Sequence, residues 1–217
     1  SNGHCVPVRY AAMAEAGYFP KAELVTLRKF GSRLQGHPER DRLPGLEGTS
    51  GPLGCGLSQA CGLALAHRMD GSLQRRVYVV MGDGELNEGN VWEAAMLAPK
   101  YNLHTITAIV DRNNIQIDGP TETVMPLHDL RRKWESFGWH VLEIDGNDIE
   151  AVIDACAMAK AITDQPVCII AYTIPGKGVD FMEFDYKWHG VPPNHEQARE
   201  ALHQLRTLGG KIKGEHE

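Results

Sequence analysis

Asp83 and Asn113 are the residues whose type and spacing best suit chemistry. Asp83 lies in Gly82-Asp83-Gly84, directly after the apolar run Val77-Tyr78-Val79-Val80-Met81. Asn113 lies in Asp111-Arg112-Asn113-Asn114, directly after the apolar run from Ile106 to Val110. A carboxylate and an amide carbonyl are hard oxygen donors, suited to Mg²⁺, Ca²⁺ or Mn²⁺ rather than to zinc. Mg²⁺ is held by one or two side chains and completed by phosphate oxygens. Gly82 and Gly84 let the backbone approach a ligand closely, and the helix start that follows can face an anion. The residues therefore predict a metal-bridged phosphate or diphosphate site. The bland alternative is a strand-to-helix turn with an N-cap Asp.

Such a site needs elements that bring both tips to one rim. Short apolar runs bounded by turn residues read as buried parallel strands over Val77 to Met81 and Ile106 to Val110. A helix from about Glu88 to Lys100 joins them, with Pro99 expected to end or bend it early. Strand, helix and strand at this spacing make a right-handed βαβ crossover. Ligands of open parallel sheets bind beyond the carboxyl ends of the strands, where Asp83 and Asn113 lie. The pattern repeats more loosely, with a helix over Leu127 to Phe137 and strands at Val141 to Ile144 and Val167 to Tyr172. Ile149, Val152, Ile153 and Cys156 follow the i, i+3, i+4, i+7 spacing of an amphipathic helix. Upstream, two short helices are expected at 6–16 and 20–30 and an Ala- and Leu-rich one from Leu57 to Met69. Between them, the Gly- and Pro-dense stretch 31–56 reads as a long loop. A polar tail helix starts near Glu196. The fold class expected is α/β, a doubly wound, mainly parallel sheet with helices on both faces.

Composition sets outer limits. The 217 residues are 42% hydrophobic and 23% charged, ordinary for one globular core. The 22 basic and 28 acidic residues leave a formal charge of −6 and no Lys/Arg run. That gives no footprint for nucleic acid or an anionic membrane. No apolar stretch approaches the roughly 18–20 residues of a membrane span. Five scattered cysteines without a C-x-x-C pair argue against a disulfide framework and a structural zinc site. A reducing, cytoplasmic compartment is expected.

The segment Gly82-Asp83-Gly84-Glu85-Leu86-Asn87-Glu88-Gly89, with Trp92-Glu93-Ala94, Asn113-Asn114 and Ile117-Asp118-Gly119, resembles the thiamine-diphosphate motif of transketolases. Further resemblances follow the same order along the chain. They are Ser1-Asn2-Gly3-His4, Leu34-Gln35-Gly36-His37-Pro38, Gly51-Pro52-Leu53-Gly54 and Trp188-His189-Gly190. The resemblance implies that Asp83, Asn113 and the main-chain carbonyl of Ile115 ligate the cation. It implies cofactor contacts at Gly51, Pro52, Leu53, Gly82, Asp83, Gly84, Glu88, Asn113 and His189. His4, His37 and His189 would line the channel where sugar hydroxyls meet the cofactor, a task suited to groups that exchange protons near neutral pH. Glu88 would be the buried acid that helps to link two active sites in a dimer, or simply a first-turn helix acid. The remaining histidines, His67, His104, His128, His140, His195, His203 and His216, match no motif and are expected to be structural or on the surface.

Two departures stand out. Cys55 follows Gly-Pro-Leu-Gly where the family usually has Gln, which bears on substrate preference. Pro99 is also unusual. Transketolases carry several dozen residues before the Ser-Asn-Gly-His segment and a pyrimidine-binding domain after the stretch seen here. That domain supplies the glutamate that activates the cofactor. The expectation is an N-terminal subunit of the bacterial split type, with residues 1–195 as the diphosphate-side binding domain, lacking its opening, and 196–217 as a polar helix or tail. Its partner would be a C-terminal transketolase subunit, in a heterotetramer, and its substrates sugar phosphates. The rival readings are another thiamine-diphosphate enzyme component, of deoxyxylulose-phosphate synthase or 2-oxo acid dehydrogenase type, and a non-catalytic assembly subunit.

Overall fold

The computed structural model describes residues 1–205. In chain order the elements are α1 (Val6–Glu15), α2 (Gly56–Met69), β1 (Val77–Gly82), α3 (Gly89–Lys100), β2 (Ile106–Arg112), β3 (Ile115–Gln116), β4 (Gly119–Pro120), α4 (Thr121–Val124), α5 (Leu130–Ser136), β5 (His140–Asp145), α6 (Ile149–Ala161), β6 (Val167–Tyr172) and α7 (His195–Leu205). Four parallel strands form a sheet in the order β1-β2-β6-β5, and β3 and β4 make a separate antiparallel hairpin. The expected crossover is present, since α3 carries the chain from β1 to its parallel neighbour β2.

Helices lie on both faces, unevenly. The larger core joins α2, α3 and α5 to one face of the sheet, where Met81, Ile106, Ala108, Val110, Cys168 and Ile170 point. On the other face α6 packs over Val167, Ile169 and Ile109 through Ala155 and Ala159. Nothing among the described residues covers the rest of that face beside β1. Tyr78 and Val80 are 42% and 50% exposed there, in a groove of about 1070 Å³ shared with Val8, Leu63 and Val152. β1 is thus an edge strand buried on one face only, not the two-sided buried strand its apolar run suggests. Apolar composition marks a strand but not how many layers will cover it.

Other local differences have local causes. The 20–30 segment forms only a 3-10 helix, Lys21–Thr26. α5 starts at Leu130 rather than Leu127, because the Asp129 side chain accepts the Arg132 N–H at 3.0 Å and sets the cap. α6 buries its small face, while Ile149 and Ile153 remain 69% and 61% exposed. Alanines let the helix axis approach the sheet closely, which the larger isoleucines would prevent. α7 opens at a capping box: Asn194 Oδ1 accepts the N–H groups of Glu196 and Gln197, and Gln197 Oε1 accepts that of Asn194.

Pro99 neither ends nor shortens α3, which continues to Lys100. A proline deprives the carbonyl four residues back of its donor. That carbonyl, on Ala95, instead accepts the buried indole N–H of Trp139 at 2.9 Å. The long loop is ordered by its own leucines. Leu34, Leu43 and Leu46 are buried against Tyr10, Met13 and Phe19 in a second core around α1. Burying each such side chain contributes about 1.5–3 kcal/mol, enough to hold a loop rich in glycine.

Candidate functional site

Asp83 is 1% exposed and follows β1 directly. Its N–H donates to the Asp111 carbonyl at 3.1 Å, extending the β1–β2 ladder by one rung. Its carboxylate is divided between two sets of donors. Oδ2 accepts Arg112 Nη1 at 2.8 Å and the Asn114 N–H at 2.8 Å, while Oδ1 accepts the Gly84 N–H at 2.7 Å. Burial pushes the Asp83 carboxyl up from its ordinary value, and Arg112 and the two N–H groups pull it back down. The second arm of Arg112 reaches Glu122 Oε1 at 2.6 Å. Glu122 in turn accepts the N–H groups of Leu127 and His128. Sequence reasoning does not find Arg112 as the counter-ion, because a basic residue at a strand end carries no spacing signal.

Asn113 is held at both ends of its amide. Nδ2 donates to Asp111 Oδ2 at 3.0 Å, and Oδ1 accepts the Ile115 N–H at 3.0 Å. The Thr173 hydroxyl donates to the other oxygen of Asp111. Asp83 and Asn113 therefore stand on adjacent strand ends, with the 111–114 turn tied to Asp83 through Asn114. Their side chains do not bond to each other. Among the described residues no three His, Cys, Asp or Glu side chains gather as a metal site, so a cation would depend on amide and main-chain oxygens. The set of Asp83, the Asn113 amide and the Ile115 carbonyl fits a hard cation completed by phosphate oxygens. Asp83 Oδ1 accepts a single protein donor and retains lone-pair capacity for it. Gly84 directs its N–H at Asp83, and a 3-10 turn, Gly84–Asn87, separates it from α3.

The three motif histidines converge. The rings of His4 and His189 lie 5.3 Å apart, centre to centre. The His37 ring packs against Gly3 and Gly51. Burial lowers the His4 pKa, and the nearby His189 and His37 rings lower it further. His189 ends a short 3-10 turn, Tyr186–His189, that packs on the β3–β4 hairpin. Pro52 and the 40%-exposed Leu53 form the tip of the Gly-Pro-Leu-Gly loop, and Cys55 is half-buried before α2. Glu88 faces solvent beside Gly54. Besides Asp83, the buried acid of this stretch is Glu85, 3% exposed, which nothing in the sequence singles out. All five cysteines are free, and burial pushes the Cys61 thiol up to about 11. None of the described non-motif histidines joins this cluster, and His216 lies outside the described residues.

Residues 1–209 match the family described as "Transketolase, thiamine diphosphate binding domain". The chain belongs to this family. It is 41% identical over 216 residues to an apulose-4-phosphate transketolase subunit of Phocaeicola vulgatus, covering all of this chain and 76% of that one. It is 41% identical over 209 residues to the 6-deoxy-6-sulfo-D-fructose transketolase subunit SqwG of a Clostridium species, covering 96% of this chain and 76% of that one. A crystal structure of transketolase from Campylobacter jejuni superimposes with a TM-score of 0.88 at 33% identity. That match covers 98% of this chain and 35% of the longer one. This chain thus spans about a third of that transketolase and about three-quarters of the two subunits. As a transketolase-family diphosphate-binding domain it has the α/β parallel-sheet fold of its solved relatives. Among its described residues no helix is long and apolar enough to cross a membrane.

Proposed function

We propose that this chain is the diphosphate-side subunit of a split transketolase. The assembled enzyme transfers a two-carbon ketol unit from a ketose phosphate to an aldose phosphate. A C-terminal transketolase subunit completes it, in a heterotetramer, and works with it in the cytoplasm. Residues 1–195 form the binding domain and 196–217 its polar tail, of which 206–217 lie outside the described residues. One observation carries the reading: the buried Asp83, the Asn113 turn and the three motif histidines all sit at the carboxyl end of one sheet, in a chain whose relatives bear transketolase names.

In this reading Asp83, the Asn113 amide oxygen and the Ile115 carbonyl hold Mg²⁺, or Ca²⁺ or Mn²⁺ in its place. Gly82 and Gly84 admit the diphosphate close to the backbone, and Gly51, Pro52 and Leu53 close over the cofactor. When bound, thiamine diphosphate supplies the carbon nucleophile that carries the ketol unit. Arg112 favours the ionised form of Asp83 and fixes its Oδ2. His4, His37 and His189 bind sugar hydroxyls and the cofactor edge, where an imidazole can accept and return a hydroxyl proton. Glu88, solvent-facing on one chain, becomes buried when a second site is joined to it.

Calorimetric titration of thiamine diphosphate with Mg²⁺, with and without a C-terminal transketolase subunit, tests the proposal. Asp83→Ala is expected to abolish Mg²⁺-dependent binding by the assembled enzyme. Undiminished binding would refute the site. Consumption of pyruvate, rather than ketol transfer between sugar phosphates, would move the chain to another thiamine-diphosphate class.

A further inference from the structure

Three of the motif segments meet on a side chain to which the proposed function gives no role. Glu85 Oε1 accepts the buried Gly54 N–H at 2.7 Å and also accepts the Ser1 hydroxyl. Its Oε2 takes the Gly82 N–H at 3.3 Å. Ser1 Oγ accepts the Gly56 N–H at 3.0 Å, and the Ser1 carbonyl accepts that of Gly51 at 3.3 Å. From the far side, Asn90 Nδ2 donates to the Gly54 carbonyl at 3.0 Å. One carboxylate thus gathers the Gly-Pro-Leu-Gly loop, the Ser-Asn-Gly-His segment and the Gly-Asp-Gly turn.

The packing keeps side chains off the loop where Glu85 meets it. Gly54 has φ +79°, and a Cβ on it would stand 2.6 Å from Glu88 Cβ. A Cβ on Gly56 would run into the Ser1 side chain. The loop therefore has no side chain to anchor it at these two positions and depends on its backbone N–H groups and the Gly54 carbonyl. A buried N–H without an acceptor is costly, and Glu85 is the acceptor placed for both, directly for Gly54 and through Ser1 for Gly56.

We propose that Glu85 is a positioning residue: its carboxylate clamps the 51–56 loop and the 1–4 segment onto the Gly82–Gly84 turn. Its consequence for the cofactor rests on the proposed function; the clamp itself does not. Loss of the clamp frees the 51–56 loop and the 1–4 segment while leaving the sheet intact.

Amide hydrogen exchange on the full chain, without any ligand, tests the clamp. Glu85→Leu keeps the side-chain volume and removes both acceptors, whereas Glu85→Gln retains one. The expectation is exchange at Gly54 and Gly56 faster by tenfold or more in Glu85→Leu, less in Glu85→Gln, with Val110 and Ile170 unchanged. Exchange at Gly54 and Gly56 as slow as in the parent, or faster equally with Val110 and Ile170, overturns the clamp. A second arm titrates thiamine diphosphate with Mg²⁺ into parent and variant in the presence of a C-terminal transketolase subunit. Weaker binding, by tenfold or more, supports the positioning role, and unchanged affinity in a variant with a loosened loop overturns it. Failure of the parent itself to bind refutes the proposed function instead, and the exchange result still decides the clamp.

Discussion

The Asp83–Arg112 pair shows how burial grades interactions that look alike on paper. Arg112 also bonds Glu122, yet the Asp83 side chain is 1% exposed and that of Glu122 is 43% exposed. Removing one member of a buried pair strands the other charge, whereas an exposed pair exchanges protein for water cheaply. Arg112→Met is therefore expected to destabilise the fold by about 2–4 kcal/mol, at the low end because Asn114 and Gly84 still serve the carboxylate. Glu122→Gln should cost under about 1 kcal/mol. Urea denaturation of both variants checks the ordering, and equal losses would contradict it. His4 gives a pH prediction. Burial, with His189 and His37 adding to it, holds His4 below the ordinary histidine value of 6.5. The unfolded chain therefore takes up the proton first as pH falls. His4 contributes no penalty above that value, and stability drops as pH falls below it until the folded His4 protonates too. In an NMR titration the His4 midpoint should lie below that of a free histidine and rise in His189→Gln. A midpoint that ignores His189 would separate the two rings electrically.

Among the elements, α3 is the most instructive. A proline in its last turn ought to break it, and local sequence places the break there. The helix survives because Trp139, on the segment entering β5, supplies the donor that Pro99 withholds from Ala95. Trp139→Phe should therefore destabilise by about 1–3 kcal/mol by leaving that carbonyl unpaired. Pro99→Ala restores a local N–H and should recover part of the loss in the Trp139→Phe background while doing little in the parent. A double-mutant cycle by chemical denaturation reads the coupling, and strict additivity would deny it. The strands and most helices are legible in the sequence, because apolar runs, caps and glycines act within a few residues. Trp139 lies too far from Ala95 in the chain for any local pattern to pair them. α6 marks the other limit: its i, i+3, i+4, i+7 set includes Ile149 and Ile153, which the structure leaves exposed.

At the scale of the whole molecule, the sheet is covered well on one face and partly on the other. The groove beside β1, with Tyr78 and Val80 on its floor, is an apolar surface of the kind that seeks a partner. An environment-sensitive naphthalene-sulfonate dye should bind the chain there. Val80→Thr should weaken that binding with a stability change within about 0.5 kcal/mol, as for an exposed site. Dye binding unaffected by the substitution would place the apolar surface elsewhere.

What the sequence determined alone was the local chemistry and its order along the chain. Gly-Asp-Gly after one apolar run and Asn after the next set a carboxylate and an amide at the rim of a parallel sheet, whatever the rest of the chain does. Strand and helix periods follow from backbone geometry and are written within each segment. Only the tertiary structure decided the partners: Arg112 on Asp83, Trp139 on Ala95, His4 beside His189, and Glu85 beneath Gly54. The physical reason is distance. A hydrogen bond acts over about 3 Å in space, and it leaves no trace in composition or period when its two ends stand dozens of residues apart.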